Sequence, residues 1–247
     1  MEILKTNEIV INDDLVKKGI GKRVLAYRKY SMNCSREQFT KVFDCGDSTL
    51  INVERGKCFP DLIFISKLAN YSSKSVNSFV TGKDFAINVE SEDMRLLERS
   101  NDKQKITILM KCLCEKNDML HMYDRDIVNM IFDERDRFNT KVIGYLINFE
   151  REKRNISRKK LAEAINFLEK SLNNLEYGNS TVSFKALYHI SEYMGVPLDF
   201  FLMGYLKDKK NIIDYLMSDL FSNTNEYDKR FIRCYLEESK LWMLAGK

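Results

Sequence analysis

Apolar residues recur at three- and four-residue intervals along most of the 247-residue chain, the spacing that gathers them on one stripe of an α-helix. Breaks in the pattern, read with residues that start or stop helices, predict five short helices over 14–30, 36–43, 47–55, 61–70 and 74–80. Ser35 stands where a side-chain oxygen would cap the second helix, and Gly56 where a left-handed residue would end the third. Val24, Leu25, Phe39, Phe43, Leu50, Val53, Leu62, Ile65 and Leu68 are the expected core of this segment.

The pattern then returns. Ser35-Arg36-Glu37-Gln38-Phe39 is echoed by Ser157-Arg158-Lys159-Lys160-Leu161, at an offset of about 122 positions. Glu54-Arg55-Gly56 recurs as Glu176-Tyr177-Gly178 and Val80-Thr81-Gly82 as Leu202-Met203-Gly204 in the same register, which marks an internal repeat. Ser157 and Gly178 take the capping places of Ser35 and Gly56, and Leu146, Leu161, Ile165, Leu172, Leu175, Leu187 and Ile190 are the expected second core. A pair of amphipathic helices follows each copy, over 90–99 and 102–115 and over 208–220 and 225–243. Their stripes carry Leu96, Leu97, Ile106, Leu109 and Met110, then Ile213, Leu216, Phe231 and Trp242. A further helix is expected near 125–136, and Glu8-Ile9-Val10-Ile11 reads as a short strand or an ordered arm.

The divisions that result are an arm over 1–13, copy one over 14–82, a helical connector over 83–137, copy two over 138–204 and a helical pair over 205–247. With two prolines and ten glycines in the chain, little interrupts helices, and the fold class expected is all-α.

Charge refines this picture. The net charge is +4, and it is uneven: 14–82 holds 12 basic against 6 acidic residues, whereas 83–137 holds 10 against 13. Copy one is therefore the more cationic and the better candidate for a polyanion. The six cysteines form no CxxC pair, so no zinc or redox motif is indicated and reduced thiols are expected. Cys112 and Cys114 are read as buried thiols, and His121 and His189 have no partner at ligand spacing. Phe149, Phe167, Tyr188 and Tyr193 are read as core. No apolar run reaches membrane-spanning length, and no nucleophile with its base or phosphate loop is visible. A cytoplasmic, non-enzymatic protein without cofactor or metal is expected.

The chain resembles the Cro/CI-type helix-turn-helix family, also called the XRE family, and it does so twice. In copy one the resemblance rests on Ile20-Gly21, Arg28, Ser35-Arg36-Glu37-Gln38, Ser48-Thr49-Leu50, Glu54-Arg55-Gly56, Pro60 and Thr81-Gly82. In copy two it rests on Ile143-Gly144, Arg151, Ser157-Arg158, Ala162, Leu172, Glu176-Tyr177-Gly178 and the run from Val196 to Leu202. The resemblance implies two lambda-repressor-like five-helix domains, each with its second helix across the DNA backbone and its third in the major groove.

It further implies that Arg36 and Arg158 grip phosphate. Base edges would be met by Asp47, Ser48, Ile51 and Asn52 in copy one, and by Glu169, Lys170, Asn173 and Asn174 in copy two. Gln38, Lys57 and Lys159 complete the implied contact set. Arg28 with Glu54, and Arg151 with Glu176, fall where the family buries an ion pair. The acidic Asp47 and Glu169 depart from a simple DNA reader, because such a group meets the negative field of the groove unless it accepts from a base donor such as cytosine N4. The same residues are also favoured at a helix start by capping and by the helix dipole.

The function implied is a sequence-specific transcriptional regulator, repressor-like, of bacterial, phage or mobile-element origin, acting on double-stranded DNA as a homodimer. The alternative is a protein-interaction module, antitoxin-like or a phage-encoded inhibitor, in which the grooves bind a protein partner.

Overall fold

The computed structural model describes residues 11–85, 91–101, 105, 106, 109 and 140–245, and every regular element among them is helical. The expected helix near 125–136, the arm before Ile11, Cys112, Cys114 and His121 lie outside the described residues, as does 102–115 apart from 105, 106 and 109.

Copy one consists of α1 (Asp13–Ala26), α2 (Arg36–Phe43), α3 (Asp47–Glu54), α4 (Leu62–Ser72) and α5 (Val76–Thr81). After α6 (Ser91–Arg99), copy two consists of α7 (Thr140–Lys153), α8 (Arg158–Ala164), α9 (Glu169–Glu176), α10 (Phe184–Met194) and α11 (Leu198–Phe201), which runs into a 3-10 turn at Met203–Tyr205. The chain closes with α12 (Lys210–Asn223) and α13 (Glu226–Ala245).

Local chemistry sets these boundaries. Asn12 accepts from the Leu15 amide to start α1. Ser35 and Gln38 form a reciprocal capping box at α2, and Ser157 accepts from the Lys160 amide at α8, each satisfying amides that the first turn leaves without partners. Left-handed residues fall at matching places in the two copies: Asn33 and Asn155, Asp44 and Asn166, Gly56 and Gly178, Ser73 and Gly195. Two of these pairs are Asn or Asp, whose short polar side chains tolerate that conformation.

One difference between the copies has a visible consequence. Arg28 precedes Ser35 by one residue more than Arg151 precedes Ser157, and copy one holds the surplus as a π-helical turn over Tyr27–Ser31. Inserting a single residue into an α-helix is the usual origin of such a turn.

In each copy the first helix lies against the end of the third. A Cβ on Gly21 would stand 2.3 Å from the Val53 carbonyl oxygen, and one on Gly144 2.0 Å from that of Leu175, so only glycine permits the approach. The expected core residues are buried except Leu25, which is half-exposed. It sits beside the π turn, away from the stripe that faces α3 and α5.

The described residues divide into two compact units. The first joins copy one to copy two; the second joins the described residues of 85–135 to those of 209–247. Within the first unit α5 packs on α11. The buried Asp199 accepts hydrogen bonds from the amides of Val76 (3.0 Å) and Asn77 (2.9 Å), capping α5 from the other copy. Asn70 donates to the Tyr205 carbonyl at 2.7 Å and accepts from the Lys207 amide at 2.7 Å. Phe59 stacks on Phe184 with ring centroids 5.6 Å apart, and Asp13 bridges His189 and Lys185.

In the second unit α6 meets α13 through a two-point ion pair between Asp93 and Arg233, and Lys105 pairs with Asp214 in the interior. Leu97, Leu109, Ile213 and Leu216 are buried there, and Leu96, Ile106 and Phe231 are half-buried. Among the described residues these stripes are thus largely covered within the chain. Met110 and the Trp242 side chain lie outside the described residues.

Burial pushes the Asp199 carboxyl up to about 6, against the amide hydrogen bonds that pull it down. A carboxyl raised in the folded state penalises folding above its folded pKa and relieves that penalty as pH falls toward the unfolded value of 3.8. Asp199→Asn removes the charge and keeps one acceptor. The stability difference between wild type and this variant should therefore move in favour of wild type by about 2 kcal/mol between pH 7 and pH 4. Urea titrations at several pH values measure it, and a pH-independent difference would contradict the assignment.

Candidate nucleic-acid interface

A glutamate at the C-terminal end of the third helix organises the site in each copy. Glu54 is buried and takes two arginines: Arg28, in the π-helical turn that continues α1, donates from Nε at 2.5 Å and from Nη2 at 3.2 Å, and Arg36 of α2 donates from Nε at 2.9 Å. Arg28 also reaches the Cys34 carbonyl at 3.0 Å. Copy two repeats the arrangement. Arg151 donates to Glu176 at 2.6 and 3.0 Å and to the Ile156 carbonyl at 3.0 Å, and Arg158 donates to Glu176 at 2.6 Å.

One carboxylate therefore ties together the first, second and third helices of its copy, and fixes the angle at which α3 or α9 leaves the body. Burial pushes the Glu54 carboxyl up, but hydrogen bonds from Arg28 and Arg36 outweigh it and hold the group below its ordinary value. The hydrogen bond to Glu176 raises Arg158 above its ordinary value.

The buried pairs of Arg28 with Glu54 and of Arg151 with Glu176 thus stand where the sequence places them. Arg36 and Arg158, expected as phosphate ligands, take a structural part that was not expected. Their Nε atoms are engaged by glutamate, while the side chains keep 45% and 30% of their exposure, so each guanidinium is held at the surface in a set orientation. Arg158 also lies over the exposed ring of Tyr177 at 5.7 Å. An arginine oriented through Nε presents its remaining donors to an anion with less loss of freedom than a mobile one.

The third helices present matching faces. Asp47 and Ser48 are exposed, with Ile51 and Asn52 half-buried; Glu169 and Lys170 are exposed, with Asn173 and Asn174 half-buried. Leu50 and Val53, and Leu172 and Leu175, hold the opposite faces in the cores. The residues before these helices, Gly46 and Leu168, supply no side-chain cap. Asp47 and Glu169 are the first residues of helices that begin uncapped, and a carboxylate there complements the positive helix end. That is a structural reason for the shared acidic residue.

The other expected contacts divide between the copies. Gln38 is committed to the capping box through Oε1, and Lys41 of the same helix pairs with Glu37 at 2.8 Å; Lys57 is exposed just beyond α3. In copy two, Lys159, Lys160 and Lys170 are all exposed and take part in none of the ion pairs among the described residues. The overall charge of copy one is therefore not a measure of the cations beside its third helix. Many of its cations lie on or beside α1, whereas copy two has its unpaired lysines on the second and third helices.

Tyr188 is buried as expected, with burial pushing its hydroxyl up to about 12. Phe149 and Tyr193 are half-buried. Phe167 departs from the expected core. It is 37% exposed next to Leu168 at 75%, because the tight turn from α8 to α9 carries both side chains to the surface. His189 pairs with Asp13 at 2.7 Å. Cys34, Cys45, Cys58 and Cys234 are free thiols, and burial pushes those of Cys45 and Cys58 up. Among the described residues no group of three or more His, Cys, Asp or Glu is placed to hold a metal ion, and no helix is long and apolar enough to cross a membrane.

Sequence reasoning missed Asp199 and the seam residues Asp13, Asn70 and Lys185. A signal existed for the first of them. An acid inside Leu198-Asp199-Phe200-Phe201 must find hydrogen bonds if the run is buried.

A family model described as a helix-turn-helix domain matches residues 144–207, from α7 to just beyond the 3-10 turn. No curated protein and no solved structure matches the chain. Residues 144–207 are thus similar to helix-turn-helix domains, a class in which the second helix of the motif commonly enters the DNA major groove. Copy one shows the same helix order and the same glutamate with two arginines.

The triads predict an asymmetric response to mutation. Glu54→Gln leaves Arg28 buried without its anion and should cost about 3–5 kcal/mol. Arg36→Ala leaves the two-point Arg28 pair intact and should cost about 1 kcal/mol. Because Glu54 titrates lower when folded than unfolded, its contribution is full above pH 4.5 and is lost as pH falls through the lowered folded value. Urea unfolding of both variants at neutral and acid pH measures this, and equal losses at pH 7 would refute the ranking.

Proposed function

We propose that the chain is a sequence-specific DNA-binding transcriptional regulator whose two copies both serve as helix-turn-helix domains of the Cro/CI type, with copy two the stronger electrostatic anchor. The observation that carries this reading is the second and third helices of copy two. Arg158, Lys159 and Lys160 stand on α8, and Lys170, Asn173 and Asn174 line the outer face of α9. Cations on the first of these helices suit phosphate, and amides on the second suit adenine edges. The copy-one face, with Asn52 and Ile51, has reading groups but fewer unpaired cations beside it, so it contributes more to selectivity than to affinity. Repressor-like action and a bacterial, phage or mobile-element origin belong to the same reading.

A second reading has its own observation. Leu168 and Phe167 are exposed beside the acidic Glu169, an apolar and acidic spot that suits a protein surface better than a phosphate backbone. In that case the chain is an interaction module, and neither lysine nor amide substitutions on α8 and α9 would act through DNA.

Selection of bound sequences from a random duplex pool separates the two. With a selected duplex, Lys159→Ala should weaken binding to all sequences alike and lower the salt slope by about one, the share of a single phosphate. Asn174→Ala should alter preference at one base position, with a loss of about 1–3 kcal/mol there. Unchanged affinity, salt slope and preference in both variants would remove copy two from the DNA interface.

A further inference from the structure

We infer that a single chain recognises a composite DNA site built of two unlike half-sites, in place of the palindrome that two identical chains would read. This rests on the DNA-binding reading above, and three observations carry it beyond that reading.

The first concerns how the copies meet. Asn77 and Asp199 occupy the same position in the repeat, and they touch: the Asn77 amide donates to Asp199 at 2.9 Å. The elements that carry them, α5 and α11, are likewise equivalent and pack together. Contact between a position and its own counterpart marks an isologous interface, the kind that surrounds a twofold axis in a dimer. Here the two halves belong to one chain.

The second concerns the reader helices. Phe59, five residues beyond the end of α3, stacks on Phe184, the first residue of the helix after α9. Lys17 lies 5.9 Å from the Phe59 ring centroid. The segments that leave both readers therefore share one seam, and the seam is closed by the hydrogen bonds of Asn70 and the ion pairs of Asp13. Readers joined this way are carried at a set separation by one body. Two helix-turn-helix motifs so held address two segments of one duplex at a fixed spacing.

The third concerns what each reader offers. Asp47 and Glu169 match in character, and Asn52 and Asn174 are identical, but the positions between them differ. Ser48 is replaced by Lys170 and Ile51 by Asn173. Isoleucine favours a thymine methyl group, whereas asparagine pairs with adenine; lysine favours guanine, whereas serine discriminates little. The two half-sites should therefore share the steps read by the matched residues and diverge at the steps read by the others.

The test uses the intact wild-type chain. Duplexes selected from a random pool are sequenced, and the chain-to-duplex ratio at saturation is measured by sedimentation. The expected result is one chain per duplex on two related but unlike half-sites at constant spacing. Palindromes made from either half alone should bind about tenfold more weakly for each mismatched step. Inserting about half a helical turn between the halves should lower affinity to that of an isolated half-site. A palindromic site holding two chains, or affinity indifferent to the insertion, overturns the composite site while leaving DNA binding in place. Failure to retain any duplex overturns DNA binding itself, and the composite site with it.

Discussion

Each copy is organised around a buried glutamate that ends the third helix and receives arginines from the first and second. Its position is demanding, because a carboxylate removed from water is tolerated only when its oxygens are met by charged donors. Glu54 and Glu176 meet that demand with two guanidinium groups each, and the geometry that results joins three helices at one point. The glycine at which α1 or α7 crosses the end of the third helix follows from the same constraint, since the first helix must come close enough for its arginine to reach. The outward face of the third helix is then a consequence. Leucine and valine hold its inner face, the glutamate sets its end, and whatever stands at Asp47 to Asn52 or Glu169 to Asn174 is presented outward.

The seam between the copies rests on a different principle. It has one aromatic stack and several polar contacts, and its central feature is a carboxylate that caps a helix of the neighbouring copy. Asp199 supplies acceptors to the first amides of α5, while Ser75 caps the same helix from its own side by accepting from the Ser78 amide. A short helix that cannot complete its own hydrogen bonds is finished by the other copy. That makes the conformation of α5 dependent on the pairing, and the pairing dependent on one acidic side chain.

Much of this was legible in the sequence, and the reasons are local. Ser35, Ser157, Gly56 and Gly178 act through neighbours within a few residues, so their types and places predict the caps that form. The apolar stripes of both copies predict their cores for the same reason. What escaped depends on contacts distant in sequence or on the direction a long side chain takes. Asp199 meets residues more than a hundred positions away, and no periodicity carries that information. Arg36 and Arg158 fall at the helix starts expected of phosphate ligands, but sequence position alone leaves open that Nε turns inward to the glutamate. The residue type of Phe167 predicts core, yet the short turn between α8 and α9 exposes it. The surplus residue before Ser35 was visible in the spacing, although its absorption as a π turn was not.

The acidic residue that leads both third helices changes meaning once the caps are considered. Read by itself, Asp47 or Glu169 opposes the field of a phosphate backbone. In the fold, both stand first in helices whose preceding residue offers no side-chain oxygen, so each compensates a helix end that would otherwise be bare. The carboxylate answers a need of the scaffold, and its recurrence in both copies follows from the scaffold being the same. On the proposed DNA-binding reading, Asn52 and Asn174 give the two copies a shared reading group, and the difference between them is carried by Ser48 and Ile51 in one copy and Lys170 and Asn173 in the other. Those are the positions at which the copies diverge, as they would if a common frame had been kept and the two faces given different targets.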